Sequence, residues 1–324
     1  MARRTDWCIM KQRGKTIIFL TALAATTIHI INRIEYSHAT VKNVLACTEN
    51  KYYEWRFGKI RYTKRGNGTP ILLLHDLTVG SSCYEYSKIA SFLAVNHEVY
   101  CIDFLGYGLS DKPDMTFTNY LYVQMITDFI KNVIGRKTDI VATGDAFPIA
   151  VMTCHNDSQS VHTLIGINPQ SLYQLNQIPS KQTKILKFLL DTPIIGTFIY
   201  NLHTSKAAIT KLFQEQYFDN PYHINEKDIA SYVEAAHTVD YHSKHAYASY
   251  IGRYLNANII HALKEINNSI YLIGGQNKEE IKNIIDNYTY YNNAIEASYI
   301  PKTKQLPHLE KPEEVLKVLD LYLH

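Results

Sequence analysis

One stretch near the middle of the chain limits the possible fold more than any other. Residues 139–151 (DIVATGDAFPIAV) run from an apolar segment through a glycine into a segment compatible with a helix. A sharp turn from a buried strand into a helix carries the nucleophile in many enzymes, with small residues on either side in the pattern G-x-S-x-G. That pattern falls on residues 144–148 (GDAFP), with Ala146 at the nucleophile position. The sequence therefore predicts the turn of an active site without its hydroxyl group.

Strand and helix signals alternate on both sides of this stretch. Apolar runs that predict buried strands occur at 71–74, 98–103, 138–142, 162–168, 269–273 and 297–300, after a hairpin signal at 52–65. Alternation of this kind predicts an α/β fold with a mostly parallel sheet and helices on both faces.

The alternation stops between residues 169 and 268, where the periodicity is helical. A helical block inserted between two strands predicts a lid over the carboxyl ends of the sheet, where such folds bind ligands. We therefore divide the chain into four parts, an N-terminal segment, a first core part, a lid and a second core part, at residues 1–35, 36–168, 169–268 and 269–324.

The N-terminal segment has a different character from the rest of the chain. Residues 16–32 form an uncharged run that follows five basic residues. As a helix this run would be ~25 Å long, slightly shorter than a hydrocarbon core of ~30 Å. We predict a membrane anchor with the main domain on the extracytoplasmic side, because basic residues favour the cytoplasmic end. A cleaved signal peptide, giving a secreted protein, and a soluble helix in a cytoplasmic protein are the alternatives.

Charge and cysteine content exclude several other functions. Residues 1–35 hold six Lys and Arg residues against two acidic ones, so this segment carries +4 and the rest of the chain −1, for a net charge of +3. The remaining domain is close to neutral and shows no basic surface for nucleic acid. The five cysteines contain no C-x-x-C pair and indicate neither a disulfide framework nor a zinc site. We expect no cofactor and no metal, although a group in the lid offers metal ligation as a minor alternative to a polar helix: His237, Asp240, His242 and His245.

Three further motifs give the chain a resemblance to a known superfamily. Residues 71–76 (ILLLHD), 103–113 (DFLGYGLSDKP) and 306–312 (LPHLEKP) resemble segments of the α/β-hydrolase fold. The second matches the pattern D-x-x-G-x-G-x-S-x-x-P, and the third resembles the segment after the catalytic histidine. The likeness extends over residues 52–324 and favours the lidded esterase, haloalkane dehalogenase and epoxide hydrolase branch. It implies the α/β-hydrolase fold with an inserted helical lid.

The same resemblance implies that the catalytic triad has been lost. The nucleophile, acid and base positions fall on Ala146, Asn277 and Gln305. Acyl transfer requires an oxygen or sulfur nucleophile, a base that takes its proton, and an acid that orients the base. Ala146 has no nucleophilic atom, Asn277 has no charge to orient a base, and Gln305 does not accept a proton at neutral pH.

The region around the expected oxyanion hole is altered as well. His75 is retained, but Asp76 replaces the glycine that follows it in the family. A carboxylate at this position would oppose the negative charge that develops on an oxyanion. Leu77 and Phe147 complete the residues that we expect around the pocket.

Two side chains are candidates for catalytic roles in spite of these losses. Asp145 would be a shifted nucleophile if Thr143 took the place of the first glycine of the turn, and otherwise caps the following helix. His308, the second histidine of the family segment, would be a substitute base, and otherwise packs beside the site.

The sequence thus leads to one function hypothesis and two alternatives. The main hypothesis is an inactive hydrolase, a pseudoenzyme, that binds a small apolar ligand or a protein partner, whose identity the sequence does not indicate. The first alternative is an active hydrolase of esters or similar small substrates that uses Asp145, His308 or both. The second is a membrane-tethered scaffold without a ligand pocket.

Overall fold

Apolar, β-branched and aromatic residues build one eight-stranded sheet. The structure is a computed structural model that describes residues 2–46, 49–239 and 242–323, with backbone only for residues 2–18 and 21. Cys47 and Asp240 therefore lie outside the described residues. The strands are β1 (Lys51–Trp55), β2 (Gly58–Arg65), β3 (Thr69–Leu74), β4 (His97–Ile102), β5 (Thr138–Thr143), β6 (Val161–Ile167), β7 (Ser269–Gly275) and β8 (Glu296–Ile300).

The strand order is β1-β2-β4-β3-β5-β6-β7-β8. The pairs β1–β2 and β2–β4 are antiparallel and the other neighbours are parallel. The predicted class, α/β with a mostly parallel sheet, is confirmed. The chain leaves β3 toward β4 on one side and returns to β5 on the other, so the order reverses between β3 and β5. Ligands of open α/β sheets bind outside the carboxyl ends of the strands at such a reversal.

Helices cover both faces of the sheet and its carboxyl edge. They are α1 (Ala2–Thr40), α2 (Ala90–Leu93), α3 (Asn119–Phe129), α4 (Ala146–Asn156), α5 (Leu172–Leu175), α6 (Lys181–Asp191), α7 (Ile195–Thr204), α8 (Lys206–Leu212), α9 (Glu226–His237), α10 (Ser243–Ile251), α11 (Ile260–Glu265), α12 (Ile281–Tyr291), α13 (Pro307–Glu310) and α14 (Pro312–Tyr322).

Strand β3 shows how the core forms on both sides of the sheet. Ile71 and Leu73 face one buried cluster, whereas Leu72 and Leu74 face the other. All four are fully buried. A continuous apolar run is typical of a strand covered on both faces, because successive side chains point to opposite sides.

The segment between β6 and β7, for which the sequence predicts a lid and which we call the lid, is helical. Its described residues form helices α5 to α11 and contribute no strand. Phe213 and Tyr232 of the lid pack with Leu306 and Leu309 of the core in a third buried cluster. This contact holds the lid over the carboxyl ends of the strands.

Helix α1 contains the run of residues 16–32 and packs against the lid. Asn32 donates from Nδ2 to the carbonyl oxygen of Ile194 at 3.5 Å and accepts at Oδ1 from Asn201 at 2.9 Å. Within the part of the chain that the structure describes, no single helix is both long and apolar enough to cross a membrane, although α6 and α7 together pass that test as a pair bent by 96°. The membrane anchor at residues 16–32 therefore stays a prediction.

Candidate active site

Gly144 forms the tip of the turn between β5 and α4. It follows the last residue of β5 directly and has a left-handed backbone, with φ of +55°. A Cβ atom on Gly144 would lie 2.3 Å from Oδ2 of Asp76, so the tip has no room for a side chain. Ala146 is instead the fully buried first residue of α4. The tip therefore lies two residues before the position that the sequence pattern indicates.

The carboxylate of Asp76 fills the space beside this tip. Its Oδ1 accepts the backbone N–H groups of Leu77 at 2.8 Å and Asp145 at 2.9 Å. Its Oδ2 accepts a hydrogen bond from Nε2 of Gln305 at 3.1 Å. Burial raises the pKa of Asp76 above its ordinary value, although the two N–H donors favour the ionised form. Two backbone donors at the ends of β3 and β5 are thus already occupied by a side chain of the protein.

A second buried carboxyl group, that of Glu85, holds the backbone of Asp76 in place through a hydrogen bond. Glu85 accepts the backbone N–H of Asp76 at Oε2, at 3.0 Å, and the hydroxyl of Tyr232 at Oε1, at 2.8 Å. Burial, and then the negative charge of Asp76, raises the pKa of Glu85 to about 8. Because Tyr232 belongs to the lid helix α9, this acid connects the lid to the loop that follows β3.

Asp145 lines the cavity under the lid, together with Gly144 of the same turn. Burial, and then the charge of Asp76, raises the pKa of Asp145 to about 7. Burial lowers the pKa of nearby Lys278 to about 8, although the two carboxylates oppose this shift. The Nζ atom of Lys278 donates to the carbonyl oxygen of Asn168 at 3.2 Å. The site therefore holds titratable groups whose pKa values lie near 7, a property common at functional sites.

The predicted base and acid positions both line the same cavity. Gln305 lies beside Asp76, and Asn277 donates from Nδ2 to Oδ1 of Asp219 at 3.0 Å. Asn168 fixes the loop that carries Gln305, because its Nδ2 donates to the carbonyl oxygens of Lys304 and Gln305 at 2.7 and 2.8 Å. The structure thus brings these two positions to the turn, but each side chain is a neutral amide.

The two histidines singled out in the sequence do not reach the cavity. His75 donates from Nδ1 to the carbonyl oxygen of Asp76 at 2.6 Å and accepts the N–H of Phe104 at Nε2, at 3.0 Å. Burial lowers its pKa to about 4. His308 is fully buried, stacks on Tyr86 at 5.0 Å between ring centroids, and finds no hydrogen-bond partner among the described side chains. Burial, and then the charge of Lys88, lowers its pKa to about 3.

The cavity has a volume of about 810 Å³ and lies between the turn and the lid. Its wall is rich in amide side chains and tyrosines, namely Asn168, Gln170, Gln174, Gln216, Asn277, Gln305, Tyr217, Tyr247 and Tyr250. Of the four residues expected around the pocket, Asp76 lines the wall, while His75, Leu77 and Phe147 are buried behind it. A wall of this polarity does not favour the small apolar ligand that the sequence hypothesis predicts.

The histidines of the lid serve local contacts. His237 donates from Nδ1 to the carbonyl oxygen of Val233 at 2.7 Å, and Nδ1 of His245 lies 2.8 Å from Oδ1 of Asp191. Among the described side chains, which are those of residues 19–20, 22–46, 49–239 and 242–323, no group of three or more His, Cys, Asp or Glu is arranged to hold a metal ion.

Sequence reasoning missed Glu85, Tyr232 and Lys278. No local motif marks them, because their effect depends on burial and on contacts between distant parts of the chain. Asn168 offered one signal, since a polar residue directly after a buried strand lies at the edge where the site forms.

Comparison with known proteins agrees with this architecture. The sequence matches the alpha/beta hydrolase family over residues 71–318, and the chain belongs to that family. It is 29% identical over 110 residues to the 2-hydroxy-6-oxo-6-(2'-aminophenyl)hexa-2,4-dienoic acid hydrolase of Metapseudomonas resinovorans. This alignment covers 33% of the present chain and 38% of that hydrolase, well under half of the relative's length.

Solved structures of several enzymes share the fold at low sequence identity. The epoxide hydrolase CorEH has a TM-score of 0.69 and 17% identity, with 84% of this chain and 97% of that chain covered. The carboxylesterase CesB of Bacillus subtilis has a TM-score of 0.65 and 14% identity, with 92% and 98% covered. At these identities the likeness shows the fold alone.

Proposed function

We propose that this member of the hydrolase family no longer hydrolyses and instead binds a small polar molecule beneath its lid. The observation that carries the proposal is the contact of Asp76 with the backbone N–H groups of Leu77 and Asp145. In this fold the oxyanion is held by one N–H from the loop after β3 and one from the residue after the nucleophile. An oxygen of the protein already occupies both donors, so a substrate oxyanion would compete with a buried carboxylate.

The nucleophile position supports the same proposal in either alignment. The residue on the strained turn is Gly144, which has no side chain, and the sequence pattern indicates Ala146, which has only a methyl group. With Gly144 at the nucleophile position, Ala142 and Ala146 are the two small residues of the turn pattern. Asp145 is then the residue after the nucleophile, whose N–H is a donor of the oxyanion hole. Neither alignment supplies an oxygen or sulfur nucleophile, and loss of a complete triad reduces turnover by about 10⁶.

The alternative of an active hydrolase draws on the relatives, which are hydrolases, and on Asp145, which lines the cavity. A nucleophilic carboxylate still requires a base that activates water for the second step. His308 is buried against Tyr86 and does not line the cavity, and no other histidine belongs to the described wall. The alternative of a scaffold without a pocket receives no support from a cavity of about 810 Å³.

Restoring the missing groups tests the lost-catalysis part of the proposal. In a background with Asp76→Gly, Asn277→Asp and Gln305→His, we expect Gly144→Ser to create hydrolysis of p-nitrophenyl acetate. Ala146→Ser in the same background is the matched control and should remain inactive, because that side chain points into the core. Strong activity from Ala146→Ser, or from Gly144→Ser in the otherwise native chain, would show that the site has been interpreted wrongly.

The binding part of the proposal is tested by titration calorimetry with two probes of similar size. The amide-rich wall should bind D-glucose more tightly than cyclohexanol, because cyclohexanol leaves buried polar groups of the wall without partners. Gln170→Leu should weaken binding of glucose and not of cyclohexanol. Tighter binding of cyclohexanol by the native chain would favour the apolar ligand of the sequence hypothesis.

A further inference from the structure

The corner formed by α6 and α7 exposes an unusual amount of apolar side chain. Phe188 is 69% exposed, Ile195 is 59% exposed and Ile185 is 51% exposed. Scattered exposed apolar residues are normal, but a contiguous group on one part of the surface marks an interaction site. This corner is the bent helix pair that has the length and composition of a membrane segment.

Helix α1 packs against this corner and has an exposed apolar face of its own. Phe19, Leu23, Ile30 and Ile34 are all at least half exposed and share one side of the helix, at a spacing close to 3.6 residues per turn. The hydrogen bonds of Asn32 to the corner place α1 directly against it. At ~100° per residue, Asn32 lies on the side of α1 opposite this apolar face, so the apolar face of α1 points away from the corner.

The charges around the corner favour an anionic partner. Residues 173–212 contain five lysines and the acidic residue Asp191. Lys206 and Lys211 are paired with Glu226 and Glu215 outside this range, so the charge at the corner rests on Lys181 and Lys184. Asp191 is itself paired with Lys187 at 2.5 Å and with His245. Lys181 and Lys184 are exposed on the same side of α6 as Phe188, and lysine stems at such a boundary lie along apolar surface while their ammonium groups reach the charged layer.

We propose that the corner of α6 and α7 docks on an anionic lipid bilayer, with Phe188 and Ile195 inserted below the headgroups and the lysines at headgroup level. An amphipathic helix that carries lysines beside an apolar face binds the interface of an anionic membrane in this manner. This surface is separate from the predicted anchor, because the corner belongs to the lid.

Docking at this corner would bring the bilayer next to the wall of the cavity. Helix α10 carries Tyr247 and Tyr250 of that wall and is tied to the corner by Lys244. The Nζ atom of Lys244 donates to the carbonyl oxygen of Thr192 at 2.9 Å and to Oγ1 of Thr197 at 3.0 Å. The inference does not depend on the proposed function, since the corner and the cavity are formed by different side chains.

The first test measures binding of the full chain to phosphatidylcholine vesicles with and without phosphatidylserine. Phe188→Ser combined with Ile195→Ser should weaken partitioning into the anionic vesicles by at least about tenfold, because two large apolar groups no longer enter the bilayer. The control is Phe92→Ser on α2, a phenylalanine of similar exposure, 65%. Equal effects of the two sets of changes would overturn the proposal.

The second test detects insertion at the corner even if α1 binds lipid by itself. Phe188→Trp and Phe92→Trp each add one tryptophan to the two that all variants share. Brominated acyl chains should quench the fluorescence of the first added tryptophan and not of the second. Absence of quenching at 188 would overturn the proposal, and a lipid-independent dimer that Phe188→Ser abolishes would show that a second copy of the chain covers the corner.

Discussion

Replacing Glu85 with glutamine should change how the stability of the protein depends on pH. Glu85 accepts two hydrogen bonds in a fully buried position, and burial raises its pKa from 4.5 to about 8. The folded protein therefore holds this proton more tightly than the unfolded chain does. The stability that the protonated carboxyl group contributes is complete below pH 4.5 and is lost as the pH rises toward 8.

The size of the effect follows from the shift in pKa. Each pH unit within this window changes the free energy of unfolding by about 1.4 kcal/mol for one group. Between pH 5 and pH 7.5 the native protein should therefore lose about 3 kcal/mol relative to Glu85→Gln, which resembles the protonated side chain and cannot ionise. Shifts at His75, His308 and Lys278 are common to both proteins and cancel in the difference.

Urea unfolding of both proteins at several pH values measures this difference. Glu98→Gln is the control. Burial alone would raise the pKa of Glu98, but hydrogen bonding and charge from Lys64 bring it below the ordinary value. Above about pH 5.5 Glu98 is therefore almost fully ionised in both states, and over that range its replacement should shift the free energy of unfolding by a constant amount. Parallel pH curves for the native protein and Glu85→Gln would refute the account of the buried acids.

Two further substitutions test the structure around the turn and the neighbouring loop. Gly144→Ala should destabilise the protein by at least about 2 kcal/mol in urea unfolding, because the left-handed backbone is strained for alanine and Cβ meets Asp76. Adding Asp76→Gly should recover the steric part of that loss, and no recovery would mean that Asp76 does not fill the space. Asp103→Asn should cost about 3 kcal/mol in thermal unfolding, because it leaves Arg61, buried 3.6 Å from the carboxylate, with less compensating charge. A loss below about 0.5 kcal/mol would show that this ion pair contributes little.

The fold was predictable because its signals are local. The continuous apolar run that became β3 and the helical periodicity of the lid each depend on neighbouring residues alone. The sequence pattern also led to Asn277 and Gln305, and the structure brings both to the cavity. Comparison with a family motif succeeds at such positions because loops after successive parallel strands meet at one edge of the sheet.

The details of the site were harder to predict from the sequence. Ala142, Gly144 and Ala146 are all small, so the turn pattern fits the chain in two alignments, and only the left-handed φ of Gly144 separates them. The role of Glu85 depends on Tyr232, which is 147 residues away in the chain. The contact of Asp76 with two backbone N–H groups requires a side-chain conformation that no residue pattern specifies.

Hydrolysis of p-nitrophenyl acetate by the purified full chain tests the central claim most directly. Because the turn has no nucleophile and Asp76 occupies the oxyanion donors, the rate should equal that of Asp145→Asn and of His308→Ala. Any slow background from surface amines would be the same in all three proteins. Turnover by the native chain that disappears in Asp145→Asn or in His308→Ala would contradict the account and identify an active hydrolase.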